Sequence, residues 1–109
     1  MPGASVPTEW LYVVEADVDP AIEAPWNRWY DDVHVPEMLG CPGWEWCERF
    51  VPDSASHQSY LTLYGLNGPG ALETPEFAAR RGWGDFGSRL RYSAKLFRRP
   101  PRSQPETSV

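Results

Sequence analysis

Cysteine is scarce in this chain, with only Cys41 and Cys47 among 109 residues. They form neither a CxxC pair nor a Cys/His cluster. With a strand read between them, their spacing suits neither a zinc site nor an obvious disulfide, and free thiols fit a reducing compartment. Long apolar runs are missing as well. No stretch approaches the roughly 18 apolar residues of a membrane span, and the N-terminus lacks the basic region and apolar run of a signal peptide. A soluble, cytoplasmic protein with no membrane partner is the expectation. Positive charge is short outside the tail: residues 1–97 carry seven basic against 14 acidic residues. Such a body repels phosphate backbones and disfavours nucleic acid as a partner. Histidine occurs twice. One imidazole without a second ligand nearby speaks against a mononuclear metal site, and no cofactor is expected, although a haem, needing one axial His, stays open.

What the chain has in abundance is aromatic surface: six Trp, five Tyr and four Phe. Rings in that number must be buried in a core, a pocket or a subunit contact. Residues 1–8 read as a flexible lead, residues 9–98 as one domain, and residues 99–109 as a disordered, basic tail. Residues 10–16 are rich in β-formers and apolar on both alternating sets except for Glu15, which marks an inner strand covered on both faces. Asp19-Pro20 supplies an N-cap and a first-turn proline. A helical stripe follows at Trp26, Trp29, Tyr30 and Val33, with His34 on its flank. Pro36 is expected to stop or kink this helix, leaving Glu37 to Leu39 as a separate turn closed by Gly40.

Residues 44–51 alternate as a strand, with Trp44, Trp46, Glu48 and Phe50 on one face. A turn over residues 52–57, with His57 exposed in it, leads to a strand over 59–66. There Leu61 and Leu63 face one way and Tyr60, Thr62 and Tyr64 the other. A second helix starts at Ala71 or at Thr74, the latter as N-cap, and runs to about Arg81. Residues 82–87 form a glycine-flanked loop carrying Trp83 and Phe86, and residues 90–97 form the last strand. The order is β-α-β-β-α-β, an α+β, ferredoxin-like arrangement with a four-stranded antiparallel sheet and both helices on one face. Nothing remains in the chain to cover the other apolar face, so a second copy, sheet against sheet, is expected to do so.

The element order, the size, and Trp29-Tyr30-x-x-x-His34-x-Pro36-x-x-Leu39 followed by Pro42-Gly43 resemble the dimeric α+β barrel superfamily. Within it the chain is most similar to EthD-type small proteins, whose first helix carries an H-x-P element. The resemblance covers roughly residues 9–98 and implies a ligand cavity between the helices and the concave sheet. It implies no single reaction, since the superfamily holds cofactor-free monooxygenases of quinols or anthrones, polyketide cyclases, decarboxylases, haem-degrading enzymes and members of unknown role. Only the histidine is carried over, as His34.

His34 is the candidate general acid or base; as a purely structural group it would cap the helix end or bond Asp31. Tyr64 is the favoured phenol donor for charge developing on a substrate oxygen, ahead of Tyr12, Tyr30 and Tyr60. Glu48, placed among Trp44, Trp46 and Phe50, is a candidate partner because desolvation would raise its pKa, unless it pairs with Arg91 or Lys95. Tyr30, Trp29, Trp26, Tyr12 and Trp46 are candidate pocket walls, and Trp83 and Phe86 a candidate lid. Three functions follow in order. The first is a cofactor-independent enzyme performing His-based decarboxylation, dehydration, cyclisation or isomerisation of an aromatic, polyketide-like molecule. The second is a cofactor-free monooxygenase that oxidises an anthrone or phenol to a quinone. The third is a non-catalytic binding or stress-type dimer.

Overall fold

The computed structural model describes residues 8–54 and 59–101. His57 lies outside them, as do nearly all of the lead 1–8 and most of the tail 99–109. The strands β1 (Trp10–Val18), β2 (Trp44–Phe50), β3 (Ser59–Leu66) and β4 (Leu90–Arg98) form one antiparallel sheet in the order β2-β3-β1-β4. Strand β1 occupies the middle, with Tyr12 opposite Tyr64 of β3 and Leu96 of β4. The helices α1 (Glu23–Trp29), α2 (Val35–Leu39) and α3 (Pro75–Arg80) complete the fold. At the sheet's end, Thr8 donates its hydroxyl to the Leu66 carbonyl at 3.0 Å, and the Arg99 N–H bonds the Glu9 carbonyl at 2.9 Å.

Alternation along the strands decides what is buried. Val14, Ala16 and Val18 of β1 and Tyr60, Thr62, Tyr64 and Leu66 of β3 are buried together. Of these, Val14, Val18 and Leu66 contribute about 1.5–3 kcal/mol each when fully buried. Thr74 caps α3 by accepting the Phe77 N–H at 3.1 Å. That turn sends Phe77 inward, where its ring stacks on Trp44 with centroids 5.1 Å apart. The Trp44 indole in turn donates to the Ala71 carbonyl at 3.0 Å, so the buried ring keeps its polar atom satisfied.

Two local irregularities correct the sequence reading. The first is in β2, where the register shifts between Trp44, opposite Leu66, and Trp46, opposite Gly65. The extra residue of such a bulge moves every later side chain to the other face. Trp44 is therefore buried under the helices. Trp46, Glu48 and Phe50 share the opposite face with Gly65, Leu63 and Leu61, their register partners. Gly65 is required there, because a Cβ would lie 2.0 Å from the indole nitrogen of Trp46.

The second lies between α1 and α2. Residues Tyr30–His34 form a π turn, and the Val35 N–H bonds the Tyr30 carbonyl five residues back. Helical structure thus runs through Pro36 into Leu39, and the expected separate turn after the proline is absent. Proline lacks an N–H, and its ring presses on the carbonyl four residues earlier. A wide turn just before it relieves both demands. The added residue also shifts the stripe: Trp26, Tyr30, His34 and Met38, four apart, are buried, while Val33 is 41% exposed.

Among the described residues, no helix packs on the sheet's other face. Leu11, Val13, Leu61 and Leu63 are half-buried there, and Phe50 and Phe97 are 47% and 49% exposed. No helix among the described residues is long and apolar enough to cross a membrane.

Candidate active site

Between the helices and the covered face lies a cavity of about 40 Å³, lined by Tyr12, Tyr30, His34, Trp44, Tyr64 and Trp83 among others. The π turn delivers two of these. Tyr30 and His34 sit one wide turn apart, and π turns concentrate at functional sites because they re-aim side chains. The imidazole of His34 is 5% exposed and stacks on Trp29, centroids 4.8 Å apart at 19°. It meets Tyr30 edge-on at 5.1 Å and Trp83 at 5.6 Å.

Its Nδ1 is buried and has no hydrogen-bond partner among the described residues. Asp31, the structural partner considered from sequence, instead pairs with Arg49 at 2.7 Å. Burial, and secondarily the charge of Arg49, lowers the His34 pKa to about 4. The group is a neutral imidazole at pH 7. A buried polar atom without a partner is costly, which makes this Nδ1 a candidate contact for a bound group.

Arg49 braces the arrangement from β2. Its guanidinium lies 4.1 Å from the Tyr30 ring centroid and 5.3 Å from that of Trp26, and it also bonds Asn27 at 2.8 Å. The Tyr30 and Tyr64 hydroxyls meet at 3.2 Å. Burial is the main cause raising both phenols' pKa values. The pair therefore remains protonated and can donate to a developing oxyanion. Burial also pushes the nearby Cys47 thiol up to about 11, so it is not a nucleophile at neutral pH.

Of the residues singled out from sequence, His34, Tyr64, Tyr30, Tyr12 and Trp83 line the cavity together. Trp29, Trp26 and Phe86 stand one layer back. Trp29 backs His34, Trp26 meets Tyr30 at 5.2 Å, and Phe86 lies 5.6 Å from Trp29. Tyr60 is engaged elsewhere, donating its hydroxyl to the Glu23 carboxylate. Glu48 and Trp46 are on the far side of the sheet, and Glu48 is exposed. The bulge separates Glu48 from Trp44 alone; Trp46 and Phe50 stay on its face, but Glu48 is exposed there and lacks the burial on which its candidacy rested.

Sequence reasoning missed Phe77, Arg81 and Tyr92 in the wall. Tyr92 was legible, since it shares its strand parity with Leu90, Ala94 and Leu96. Phe77 was legible as the inward residue of a Thr74-capped turn. Among the described residues, no three His, Cys, Asp or Glu side chains converge as a metal site.

The cavity holds a few waters at most in this state, whereas one benzene occupies engineered cavities of about 150 Å³. A ring ligand thus requires a wall to move. Trp83 in that wall is flanked by Gly82 at φ 109° and Gly84 at φ 56°. Both values lie in the left-handed region that glycine adopts freely.

No family model matches the chain, and no curated protein matches it. Solved structures do. A point variant of SnoaB, a cofactor-independent oxygenase from Streptomyces nogalater, aligns with TM-score 0.64 at 13% identity over 90% of this chain and 99% of that one. An EthD-family protein from Bacillus halodurans aligns with TM-score 0.60 at 14% identity, covering 83% of this chain and 98% of its own. The monooxygenase ActVA-Orf6 of Streptomyces coelicolor, in complex with nanaomycin D, aligns with TM-score 0.59 at 13% identity over 90% and 93% of the two chains. At these identities the likeness is one of fold: the chain shares with these structures the α+β, ferredoxin-like architecture that the resemblance implied.

Proposed function

We propose that this protein is a cofactor-independent oxygenase that oxidises an anthrone or a related polycyclic phenol to a quinone. One observation carries the reading. A neutral imidazole without a hydrogen-bond partner at Nδ1 borders an aromatic cavity that also contains a protonated tyrosine pair. His34 takes a proton from the substrate, and the resulting anion gives electrons to O₂. One oxygen atom becomes the new carbonyl and the other leaves as water, so CH₂ and O₂ yield C=O and H₂O. The low pKa of His34 measures the cost of a lone imidazolium in a dry site. A substrate anion formed beside it offsets that cost. Tyr64 and Tyr30 donate to the oxyanion, and the tryptophans stack on the rings.

The same base also suits decarboxylation, dehydration, cyclisation or isomerisation, the first expectation from sequence. The structural neighbours, described as a cofactor-independent oxygenase and a monooxygenase, move oxygenation ahead of it. Oxygen uptake during turnover of an anthrone separates the two. One O₂ consumed per quinone supports oxygenation, and turnover without uptake assigns the base to non-redox chemistry. His34→Ala is expected to lower turnover by on the order of 10²–10⁴ while the protein still folds. Unchanged turnover removes the imidazole from the reaction. The working unit in this reading is a homodimer, because the bare apolar sheet face needs a cover.

A further inference from the structure

The cavity wall carries one full charge at neutral pH among the described residues, and it belongs to Arg81. The residue closes α3, its N–H bonding the Phe77 carbonyl at 2.9 Å. Its guanidinium carbon sits 5.3 Å from the centroid of the Phe77 ring, itself part of the wall. The side chain is exposed, so the cation stands at the rim where the cavity meets solvent. Beside it the rim is open: a Cβ on Gly82 would meet nothing within 4 Å.

Two other arginines of the fold are ion-paired, Arg49 with Asp31 at 2.7 Å and Arg89 with Asp19 at 2.6 Å. Arg81 has no carboxylate within salt-bridge distance among the described residues. Its field nonetheless reaches the cavity, where it lowers the Tyr12 phenol against the larger, raising effect of burial. The rest of the wall offers neutral hydroxyls and rings. A chain with net charge −5 repels anions at long range. An unpaired guanidinium at the mouth of its aromatic cavity locally reverses that bias. The planar fork of arginine matches a carboxylate with two parallel hydrogen bonds.

We propose that Arg81 determines specificity by anchoring a carboxylate at the cavity rim, so that the substrate class is a polycyclic aromatic acid. The inference rests on the reading of the cavity as an aromatic site and adds the charge of what enters it. The six tryptophans make binding visible by fluorescence quenching. Anthracene-2-carboxylate and its neutral amide serve as probes of equal shape.

The acid is expected to bind about fivefold more tightly than the amide at low salt, with the preference shrinking as salt rises. Arg81→Gln should bring the ratio to about one by weakening the acid, and Arg81→Lys should keep part of the preference. Equal binding of both probes to the parent protein overturns the anchor alone. So does a preference that survives in Arg81→Gln. Binding of neither probe overturns the aromatic-site reading and this inference with it.

Discussion

The two faces of the sheet are made from alternate residues of the same strands, yet they serve different ends. On one, Val14, Ala16, Tyr60, Thr62 and Tyr64 are each no more than 6% exposed beneath the helices. On the other, Leu61 and Leu63 are half-buried and Phe50 is open to solvent. The covered face excludes water, so an imidazole there stays neutral and phenols stay protonated. The bare face mixes apolar residues, Leu11, Val13, Leu61, Leu63 and Phe97, with charged ones such as Glu15, Glu48 and Lys95, and in the proposed dimer a second copy would bury the apolar part. In the proposed reading, chemistry and assembly are separated by the thickness of one sheet.

The largest test of this contrast is a pair of substitutions. Trp26 is fully buried, and Trp26→Ala is expected to cost about 3–5 kcal/mol in urea unfolding. Leu63→Asp on the bare face should leave the circular dichroism of the protomer unchanged but weaken association at least tenfold, about 1.4 kcal/mol, by sedimentation. Equal damage to the fold from both would erase the distinction.

A smaller effect lies in pH. The folded imidazole of His34 titrates near 4, below its ordinary 6.5. Between those values the unfolded chain binds the proton and the folded one does not. Stability should therefore fall as pH drops from about 6.5 toward 4, by on the order of 2–3 kcal/mol for this group, and level off below. His34→Gln should flatten that slope in denaturation series at each pH, and a slope of unchanged size would place its origin elsewhere.

The smallest effect concerns the Tyr30–Tyr64 hydroxyl pair at 3.2 Å. Tyr64→Phe and Tyr30→Phe should each cost about 1 kcal/mol, and the double variant less than their sum, because one bond is lost once. Strict additivity would mean that the hydroxyls are not coupled.

The element order was legible because period-two strands and a capped, period-3.6 helix write themselves into the residue pattern. His34 was legible as a helix residue beside Trp29 and Tyr30. Its depth was not, since a straight helix places Val33 inward and His34 on the flank. One extra residue in the turn before Pro36 reverses them. Glu48 and Trp46 were misplaced for the same kind of reason, as a bulge at the start of β2 leaves no mark in a strand of seven residues. Arg81 escaped notice because its meaning depends on what it lacks, an acidic partner, and only packing shows that.

The most direct measurement is the NMR titration of the imidazole nitrogens in a His57→Gln variant, where His34 is the sole histidine. The ring is expected to be neutral at pH 7 and to take up its proton near pH 4. A titration midpoint at 6.5 or above would mean that water reaches the ring, and the sheltered base would be lost.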